Sequence, residues 1–238
     1  MRLATTMISI PLYLTAAHEC SYLDDQSAQS VFVHPSCVLT NDLYAQLIEQ
    51  GFRRSGDQVY RPQCTQCSAC IPVRLAVEHF KPNRRQKRCL IKNSQITVEV
   101  KPAIFEQAHY ELYIRYQMIR HGSGDMAKAS SEEYLGFLGS TWCDTLFVEF
   151  SIDNELAGVA VVDQFENALS AVYTFFDPKF ASASLGVYAV LWQIEQARCM
   201  KKEFLYLGYW IKACQKMSYK SDYQPLQVLV GGQWIDER

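Results

Sequence analysis

The sequence contains no hydrophobic run long enough to cross a lipid bilayer. A membrane-spanning helix needs about 20 consecutive apolar residues, and polar or charged side chains interrupt every apolar stretch of this 238-residue chain before that length. The amino-terminal stretch has Arg2 and an apolar segment like those of a signal peptide, but Pro11 interrupts that segment and Ser9 and Tyr13 dilute it. We therefore expect a cytoplasmic protein that has no membrane partner.

An excess of charge of one sign is also absent. The 23 Lys and Arg and the 25 Asp and Glu give a formal net charge of −2, which excludes a protein that coats DNA by general electrostatic attraction. Internal repeats and low-complexity segments are absent too, which excludes solenoid and disordered classes. With 49% hydrophobic and 20% charged residues, the composition is that of a globular protein of one large or two small domains.

Cysteine, by contrast, is abundant and unevenly placed. The chain has nine cysteines, an odd number without the paired spacing of a small disulfide-rich secreted domain, so we expect reduced thiols. Cys64, Cys67 and Cys70 form a CxxCxxC triplet that one short loop can fold around a soft metal centre. The triplet predicts a site for zinc or an iron–sulfur cluster, or else a group of reduced thiols packed in a loop.

A basic stretch follows the triplet directly. Between residues 74 and 92 only Glu78 opposes the positive charges, which are those of Arg74, Lys81, Arg84, Arg85, Lys87, Arg88 and Lys92. Clustered Lys and Arg side chains are the usual contacts to nucleic-acid phosphates. The pattern predicts a basic helix or arm at residues 82–92 that binds nucleic acid, with a solvated basic surface as the alternative.

Local patterns in the first half of the chain predict short strands and two helices. Thr40 or Asn41 caps a helix that ends at Gly51, and the turn Gly56-Asp57 predicts a hairpin before the triplet. Alternating apolar residues predict strands at 7–15, 31–33, 71–77 and 96–100.

The second half predicts a helix, a three-stranded meander, a long helix and a strand. Pro102 is expected to open the first helix, which a polar loop at 121–131 and a short helix near 132–138 follow. The predicted strands lie at 146–151, 156–162, 169–176 and 204–207, and the long helix follows a loop of small residues at 181–186. This order is typical of GNAT acyltransferases, in which the helix amino terminus can meet an anion. We expect an α+β fold with a GNAT-like domain at 102–238 and a smaller cysteine-containing region at 1–101.

Several separate segments match one known family in the same order. They are YRPQCTQCSACIPVRLAVEHFKPNRRQKR at 60–88, SLGVYAVLWQIEQAR at 184–198, YLGYWIKACQKMSYKSDYQP at 206–225 and GGQW at 231–234. These segments resemble the aminoacyl-tRNA–protein transferases, over about residues 20–234. The resemblance implies transfer of an amino acid from aminoacyl-tRNA to the amino terminus of a protein. Short length and the sequence CSYL at Cys20 resemble the bacterial branch, which transfers leucine to amino-terminal Asp or Glu and so creates a degradation signal. Leu23 stands where the arginine-transferring branch typically has a second early cysteine.

Such a reaction sets clear chemical requirements. The aminoacyl ester is already activated, so transfer requires no cofactor, and an α-amino group with a pKa of about 7.7–8.0 is partly neutral at cytoplasmic pH. The site must orient amine and ester, accept a proton and stabilise a tetrahedral oxyanion. A covalent cysteine intermediate is not needed, and no Cys–His pair is evident in the sequence.

Residue chemistry and the resemblance together indicate the candidate site residues. The tRNA acceptor arm is expected on Arg84, Arg85, Lys87 and Arg88, and Cys20 is the candidate fourth metal ligand beside Cys64, Cys67 and Cys70. Substrate contacts are expected from Tyr173, Ser184, Gly186, Tyr188, Lys216, Tyr219 and Lys220, with Tyr173 and Tyr188 facing one cleft. The catalytic residue is not assigned, and the candidates are Tyr116, Gln117 and His121.

Other functions compete with this interpretation. The same residues suit an arginyl-tRNA–protein transferase that acts on the same acidic amino termini. A protein of a different class, a metal- and RNA-binding module without transferase activity, would also use the cysteine triplet and the basic stretch. A CoA-dependent acetyltransferase would need a QxxGxG loop, and the segment SASLGVY has a single glycine.

Overall fold

The computed structural model describes residues 9–122 and 128–237, except for the side chain of His121. The helices are α1 (Asn41–Glu49), α2 (Arg84–Lys92), α3 (Gln107–His121), α4 (Ser131–Leu138), α5 (Leu185–Cys199) and α6 (Gln215–Ser218). The strands of the first half are β1 (Leu12–Leu14), β2 (His18–Glu19), β3 (Ser27–Ala28), β4 (Ser30–Val33), β5 (Arg53–Ser55), β6 (Gln58–Pro62), β7 (Ile71–Ala76) and β8 (Thr97–Pro102). Those of the second half are β9 (Thr145–Ile152), β10 (Glu155–Gln164), β11 (Ala168–Phe176), β12 (Phe204–Trp210), β13 (Leu226–Val230) and β14 (Gln233–Asp236). The expected α+β class is confirmed.

Most strands belong to one large mixed sheet of eight strands. Its order is β14-β13-β7-β12-β11-β10-β9-β8, and a separate four-stranded sheet has the order β1-β4-β6-β5. Strand β7, which follows the cysteine triplet, lies inside the large sheet between β13 and β12. Residues 1–101 therefore contribute two strands, β7 and β8, to the sheet that residues 102–238 complete. Within the described parts of the chain, every helix is too short or too polar to cross a membrane.

The large sheet is covered on both faces, as the alternation along β10 shows. Val159 and Val161 pack against α3 and α4 on one face, which we call the front. Ala160 and Val162 pack against α5 on the opposite face, the back. The small sheet and α1 also pack on the front, around the side chain of Tyr206 from β12. The front therefore holds two neighbouring apolar clusters, and the back holds one.

Two adjacent strands separate in the middle of the large sheet. Strands β11 and β12 are parallel and pair only from Ala168 with Phe204 to Ser170 with Tyr206. Beyond that point each strand has a register irregularity, at Val172 in β11 and at Leu207 in β12. Such irregularities bend a strand and increase its twist. The separation leaves a gap in the sheet that side chains from the front can fill.

Local sequence signals explain several of these elements. The Thr40 hydroxyl accepts a hydrogen bond of 3.2 Å from Leu43 N and caps α1 as expected. Helix α2 begins with a capping box in which Asn83 and Gln86 satisfy each other's backbone amides. The hairpin β5–β6 at Gly56-Asp57 and the meander β9–β10–β11 are confirmed.

The structure differs from the sequence expectations in four places. Pro102 does not open a helix, because it ends β8 opposite Leu146 and α3 begins only at Gln107. The strand expected at 7–15 is reduced to β1 in its described part, since Pro11 has no amide to donate. Strand β12 extends to Trp210, and the hairpin β13–β14 was not predicted. Residues 123–127 of the expected loop lie outside the described residues.

Candidate functional site

Four cysteines line one pocket at the end of β12. Cys20 follows β2, whereas the triplet lies between β6 and β7, and all four cysteines line a space that Tyr22 and Ile211 also line. Burial, and then the nearby thiols of Cys64, Cys20 and Cys67, raise the pKa of the Cys70 thiol to about 12. Folding thus adds Cys20 to the triplet, and the resulting set of soft donors fits the chemistry of zinc or an iron–sulfur cluster.

A second polar cluster lies on β8, α3 and β9, away from the cysteines. Donor atoms of Glu106, His109 and Glu149 all lie within 4.8 Å of one another. The ammonium of Lys101 is 2.7 Å from Glu149 and 3.2 Å from Glu106, and His109 Nε2 is 2.5 Å from Glu149 Oε1. Burial raises the pKa of Glu149, but hydrogen bonds from Lys101 and His109 outweigh it and lower that pKa overall. The Lys101 ammonium bridges the two carboxylates, so these contacts form an ion-pair network.

A group of neighbouring tyrosines lies on the front, where α3 faces the small sheet. Its members are Tyr22, Tyr60, Tyr116, Tyr173 and Tyr219, and we call it the tyrosine cleft. Tyr116 packs edge-on against Tyr173 with ring centroids 6.4 Å apart. Burial, and then the neighbouring Tyr60 hydroxyl, raise the pKa of the Tyr22 hydroxyl to about 12.

Two of the catalytic candidates lie at this cleft. The fully buried Gln117 donates a hydrogen bond of 3.0 Å from Nε2 to the Tyr173 hydroxyl. Tyr116, on the same helix, lines the cleft beside them. Burial and the neighbouring Tyr116 hydroxyl raise the pKa of Tyr173, so that its hydroxyl stays protonated. His121 is the last residue of α3, and its side chain lies outside the described part of the structure.

Two cations lie at the floor of the cleft. Lys220 is 5% exposed, and its ammonium donates to the backbone carbonyl of Tyr209. Burial, and then the nearby Arg53 charge, lower the pKa of Lys220 to about 7. Arg53 reaches from β5 into the gap between β11 and β12, where Nη1 is 2.9 Å from Ser170 Oγ and Nη2 is 2.8 Å from Ala171 O. Lys220 was expected to contact substrate, and the structure places it buried below Tyr219.

Sequence analysis missed Arg53 entirely. A built Cβ on Gly208 would lie 3.3 Å from the Arg53 Cζ, so the guanidinium packs directly on this glycine. Gly208 has φ +79°, a conformation that favours glycine. A glycine inside an otherwise apolar strand signals the close approach of another group, so Gly208 is the one signal in the sequence that indicates a side chain packed on β12.

The basic helix lies on the back of the sheet against α5. Its candidate tRNA contacts are all exposed, and none of them forms an ion pair with a described carboxylate: Arg84, Arg85, Lys87 and Arg88. The buried Gln86 donates a hydrogen bond of 3.0 Å to the carbonyl of Asp222. Asp222 belongs to the turn that begins with Tyr219 and Lys220. This turn therefore connects the basic helix to the tyrosine cleft.

The remaining predicted residues lie elsewhere. Ser184 and Gly186 begin α5, with Ser184 in the left-handed conformation at φ +55°. Tyr188 packs on the back against Phe150 with ring centroids 5.6 Å apart. Tyr173 packs on the front, so the expectation that Tyr173 and Tyr188 face one cleft is wrong. The cause is the sheet itself, which lies between Tyr173 on the front and Tyr188 of α5 on the back. Lys216 is exposed on α6.

Comparison with known proteins assigns the family. Residues 18–88 match the family described as "Arginine-tRNA-protein transferase, N terminus", and residues 108–230 match its C terminus. The chain is 50% identical over 232 residues to an aspartate/glutamate leucyltransferase of Saccharophagus degradans, covering 97% of this chain and 98% of the relative. It is 49% identical over 233 residues to an aspartate/glutamate leucyltransferase of Alcanivorax borkumensis, covering 98% and 96%.

Among solved structures, the similarity is weaker. The C-terminal domain of a putative lysylphosphatidylglycerol synthetase from Agrobacterium fabrum matches with a TM-score of 0.45 and 10% identity, over 72% of this chain and 52% of that chain. The sequence matches over nearly the whole length are decisive. The chain belongs to the arginine-tRNA-protein transferase family.

Proposed function

We propose that this protein transfers leucine from leucyl-tRNA to the amino-terminal Asp or Glu of acceptor proteins and thereby marks them for degradation. The observation that carries the proposal is 50% identity, over 97% of the chain, to a relative named aspartate/glutamate leucyltransferase. The tyrosine cleft supports it, because it joins a buried amide, aromatic surfaces and two cations at one place. Charged tRNA is a cytoplasmic substrate, so we also propose a cytoplasmic location.

In this proposal Tyr173 stabilises the tetrahedral intermediate. Its oxygen accepts a hydrogen bond from Gln117 Nε2 at 3.0 Å, which fixes the ring and leaves its own proton free to donate. A fixed donor aimed at the developing oxyanion is the most effective form of transition-state stabilisation. Tyr116 packs against the same ring and completes the wall on which the leucyl ester lies.

The tRNA is proposed to approach along the basic helix. Arg84, Arg85, Lys87 and Arg88 hold the phosphates of the acceptor arm, since they are exposed and have no described carboxylate partner. The turn at Tyr219 leads from this helix to the cleft, and the half-exposed Tyr219 ring offers a stacking surface for an unpaired base. Lys216 contributes exposed positive charge beside it, and Lys220 contributes buried charge below it.

We further propose that residues 102–238 act as a GNAT-like transfer domain. Support comes from the antiparallel strands β9, β10 and β11, followed by α5 and by β12 parallel to β11. In this domain the backbone amides at the start of α5, at Ser184 and Gly186 beside Tyr188, would face a phosphate of the tRNA on the back of the sheet. Residues 1–101 supply the thiols and the basic helix. We place the boundary between the two functional regions near residue 101.

The cysteine pocket is proposed to bind zinc or an iron–sulfur cluster. Cys20, Cys64, Cys67 and Cys70 would be the ligands, because all four line one pocket and thiolates are soft donors. A bound metal would hold the loop before β7 to the segment after β2. Leucine transfer itself needs no metal, since the ester is already activated.

Leucine transfer to defined peptides tests the function. Labelled leucyl-tRNA and arginyl-tRNA are each incubated with peptides that begin with Asp, Glu, Lys or Ala. Leucine incorporation confined to Asp and Glu peptides is the expected result. Arginine incorporation would establish the second candidate, which the arginine named in the matching family description favours. Intact tRNA binding without any transfer would instead indicate a binding module.

A further inference from the structure

Arg53 lies where the large sheet opens. Ser170 is the last residue of β11 that pairs with β12, and the Arg53 guanidinium bonds to its hydroxyl and to the next carbonyl, that of Ala171. The guanidinium also packs on Gly208 of β12. One arginine from the small sheet thus spans both strands at the point where they separate, and the rigid backbone around it determines its orientation.

The neighbouring Arg54 shows how this fold treats a structural arginine. Arg54 forms a two-point ion pair with the buried Asp163, with Nε–Oδ2 at 2.8 Å and Nη2–Oδ1 at 2.6 Å. Its remaining donors bond to Thr145 and to three backbone carbonyls. Arg54 is fully satisfied by protein groups, so its role is to join the two sheets.

Arg53 is satisfied differently. It donates two hydrogen bonds, both to neutral oxygens, and it forms no ion pair within the described residues. A guanidinium has five donors in a planar fork that matches a carboxylate. Three of the Arg53 donors therefore remain for a ligand. Placing a partly buried cation without an anionic partner is unfavourable, which indicates that its partner is supplied from outside.

Among the described residues, the groups whose pKa responds to the Arg53 charge are a lysine and tyrosines, and no carboxylate forms an ion pair with Arg53. Its positive charge lowers the pKa of Lys220, and it acts on the hydroxyls of Tyr60, Tyr209 and Tyr219. These neighbours come from β6, from β12 and from the turn after α6. The Arg53 guanidinium, a lysine whose pKa is lowered to about 7 and several neutral hydroxyls form a site that attracts a small anion.

We propose that Arg53 binds the side-chain carboxylate of the acceptor's amino-terminal Asp or Glu. The inference rests on the proposed function and adds the residue that determines acceptor specificity. Arg53 is a specificity residue because its fork is oriented by Ser170 and Ala171, close to Tyr219 on the rim of the tyrosine cleft. The α-amino group of the same acceptor residue then lies near Tyr173, which belongs to the same strand as Ser170.

The test compares acceptor peptides that differ only in charge. Leucine transfer is measured at saturating leucyl-tRNA onto peptides that begin with Asp, Glu, Asn or Gln. The wild-type protein should prefer Asp over Asn by ~100-fold or more, because a site built for a carboxylate rejects its neutral analogue. Arg53→Gln should lower kcat/KM for Asp and Glu peptides by ~100-fold and leave the slow transfer to Asn and Gln peptides within ~3-fold.

Two further variants separate specificity from folding. Arg53→Lys retains the positive charge but lacks the planar guanidinium. This variant should therefore prefer Asp over Asn more strongly than Arg53→Gln does, but less strongly than the wild type. Its thermal midpoint should stay close to that of the wild type. Arg61→Gln, on the adjacent strand, removes an arginine that contacts the Phe52 ring and the Gln50 carbonyl. This control should keep both the rate and the preference.

The outcomes separate this inference from the proposed function. If the wild-type protein transfers no leucine, the proposed function fails. If it transfers leucine to Asp and Glu but both Arg53 variants keep the full Asp-over-Asn ratio, the assignment of Arg53 is overturned. A higher KM for leucyl-tRNA with an unchanged ratio would overturn it as well, because Arg53 would then bind a tRNA phosphate.

Discussion

The side chains of Gln117 and Tyr173 are joined by a hydrogen bond of 3.0 Å that links α3 to β11 at the tyrosine cleft. Gln117 is fully buried, and its Oε1 has no hydrogen-bond partner in the described structure. A buried amide used only as a donor holds the Tyr173 ring in one orientation. In the proposed mechanism the Tyr173 hydroxyl keeps its own proton to donate to the oxyanion, which is the basis of the first prediction.

Replacing Tyr173 by Phe should reduce kcat for leucine transfer by about 10²–10³-fold, because it removes one donor to the oxyanion. The KM for leucyl-tRNA should change little. Tyr110→Phe is the matched control, since it also removes one hydroxyl from a hydrogen bond, that of 2.8 Å to Ala129 O. Single-turnover kinetics would show the difference, and a kcat for Tyr173→Phe equal to that of the control would contradict the role.

Charge reversal on α2 should weaken tRNA binding. Arg84→Glu and Arg85→Glu each remove a phosphate contact and add repulsion, so both the affinity and the slope of log K against log salt should decrease. Lys201→Glu is the control of equal charge change, on an exposed residue after α5. Filter binding of leucyl-tRNA over a range of salt concentrations measures both quantities. Identical slopes for all variants would show that α2 is only a solvated basic surface.

The purified protein should contain close to one zinc ion, or the iron of one cluster, per chain. Cys67→Ser removes one soft ligand from the cysteine pocket and should abolish most of that metal. Cys37→Ser changes a thiol that does not line the pocket and should retain the metal. Elemental analysis of anaerobically purified protein measures the content, and a metal-free wild type would support packed reduced thiols.

The ion pair of Arg54 and Asp163 should be essential for stability. Both side chains are fully buried, and removing one partner leaves an uncompensated charge, so Asp163→Ala should lower the free energy of unfolding by about 3–5 kcal/mol. Glu155→Gln breaks the half-exposed ion pair with Lys179 and should change the free energy of unfolding by about 0–1 kcal/mol. Urea denaturation measures both values, and similar effects of the two substitutions would refute the distinction.

Acid should destabilise the protein partly through Glu149. Because its folded-state pKa is lowered by Lys101 and His109 despite burial, its stabilising contribution is present above the unfolded pKa of about 4.3. It is lost as pH falls through the lower folded pKa. The thermal midpoint of Glu149→Gln should therefore fall less steeply below pH 5 than that of the wild type. Glu111→Gln, an exposed carboxylate on α3, should retain the wild-type slope.

Elements with local causes could be predicted from the sequence. The Thr40 cap, the Gly56-Asp57 turn and the Asp153-Asn154 turn each depend on residues within one turn of the chain. The CxxCxxC spacing and the basic helix are local as well. Pro102 was misassigned because its pairing with Leu146 in β9 overrides its local preference to begin a helix.

The candidate site depends on contacts that are distant in sequence. The hydrogen bonds of Arg53 to Ser170 and Ala171 span 117 and 118 positions, and no local pattern indicates such a contact. Cys20 reaches the triplet only because the loop after β2 folds over the start of β7. Tyr173 and Tyr188 are 15 positions apart, but the sheet places them on opposite faces.

The sequence by itself determined the family, the order of the main helices and strands, and the residue types available for tRNA and metal binding, because these depend on local spacing. The tertiary structure decided which of those residues meet. The separation of β11 from β12 makes room for the Arg53 guanidinium, and the packing of α3 on the front of the sheet brings Gln117 to Tyr173. Both contacts depend on the packing of sheets and helices that are distant in sequence, and the conformational preferences of neighbouring residues do not determine that packing.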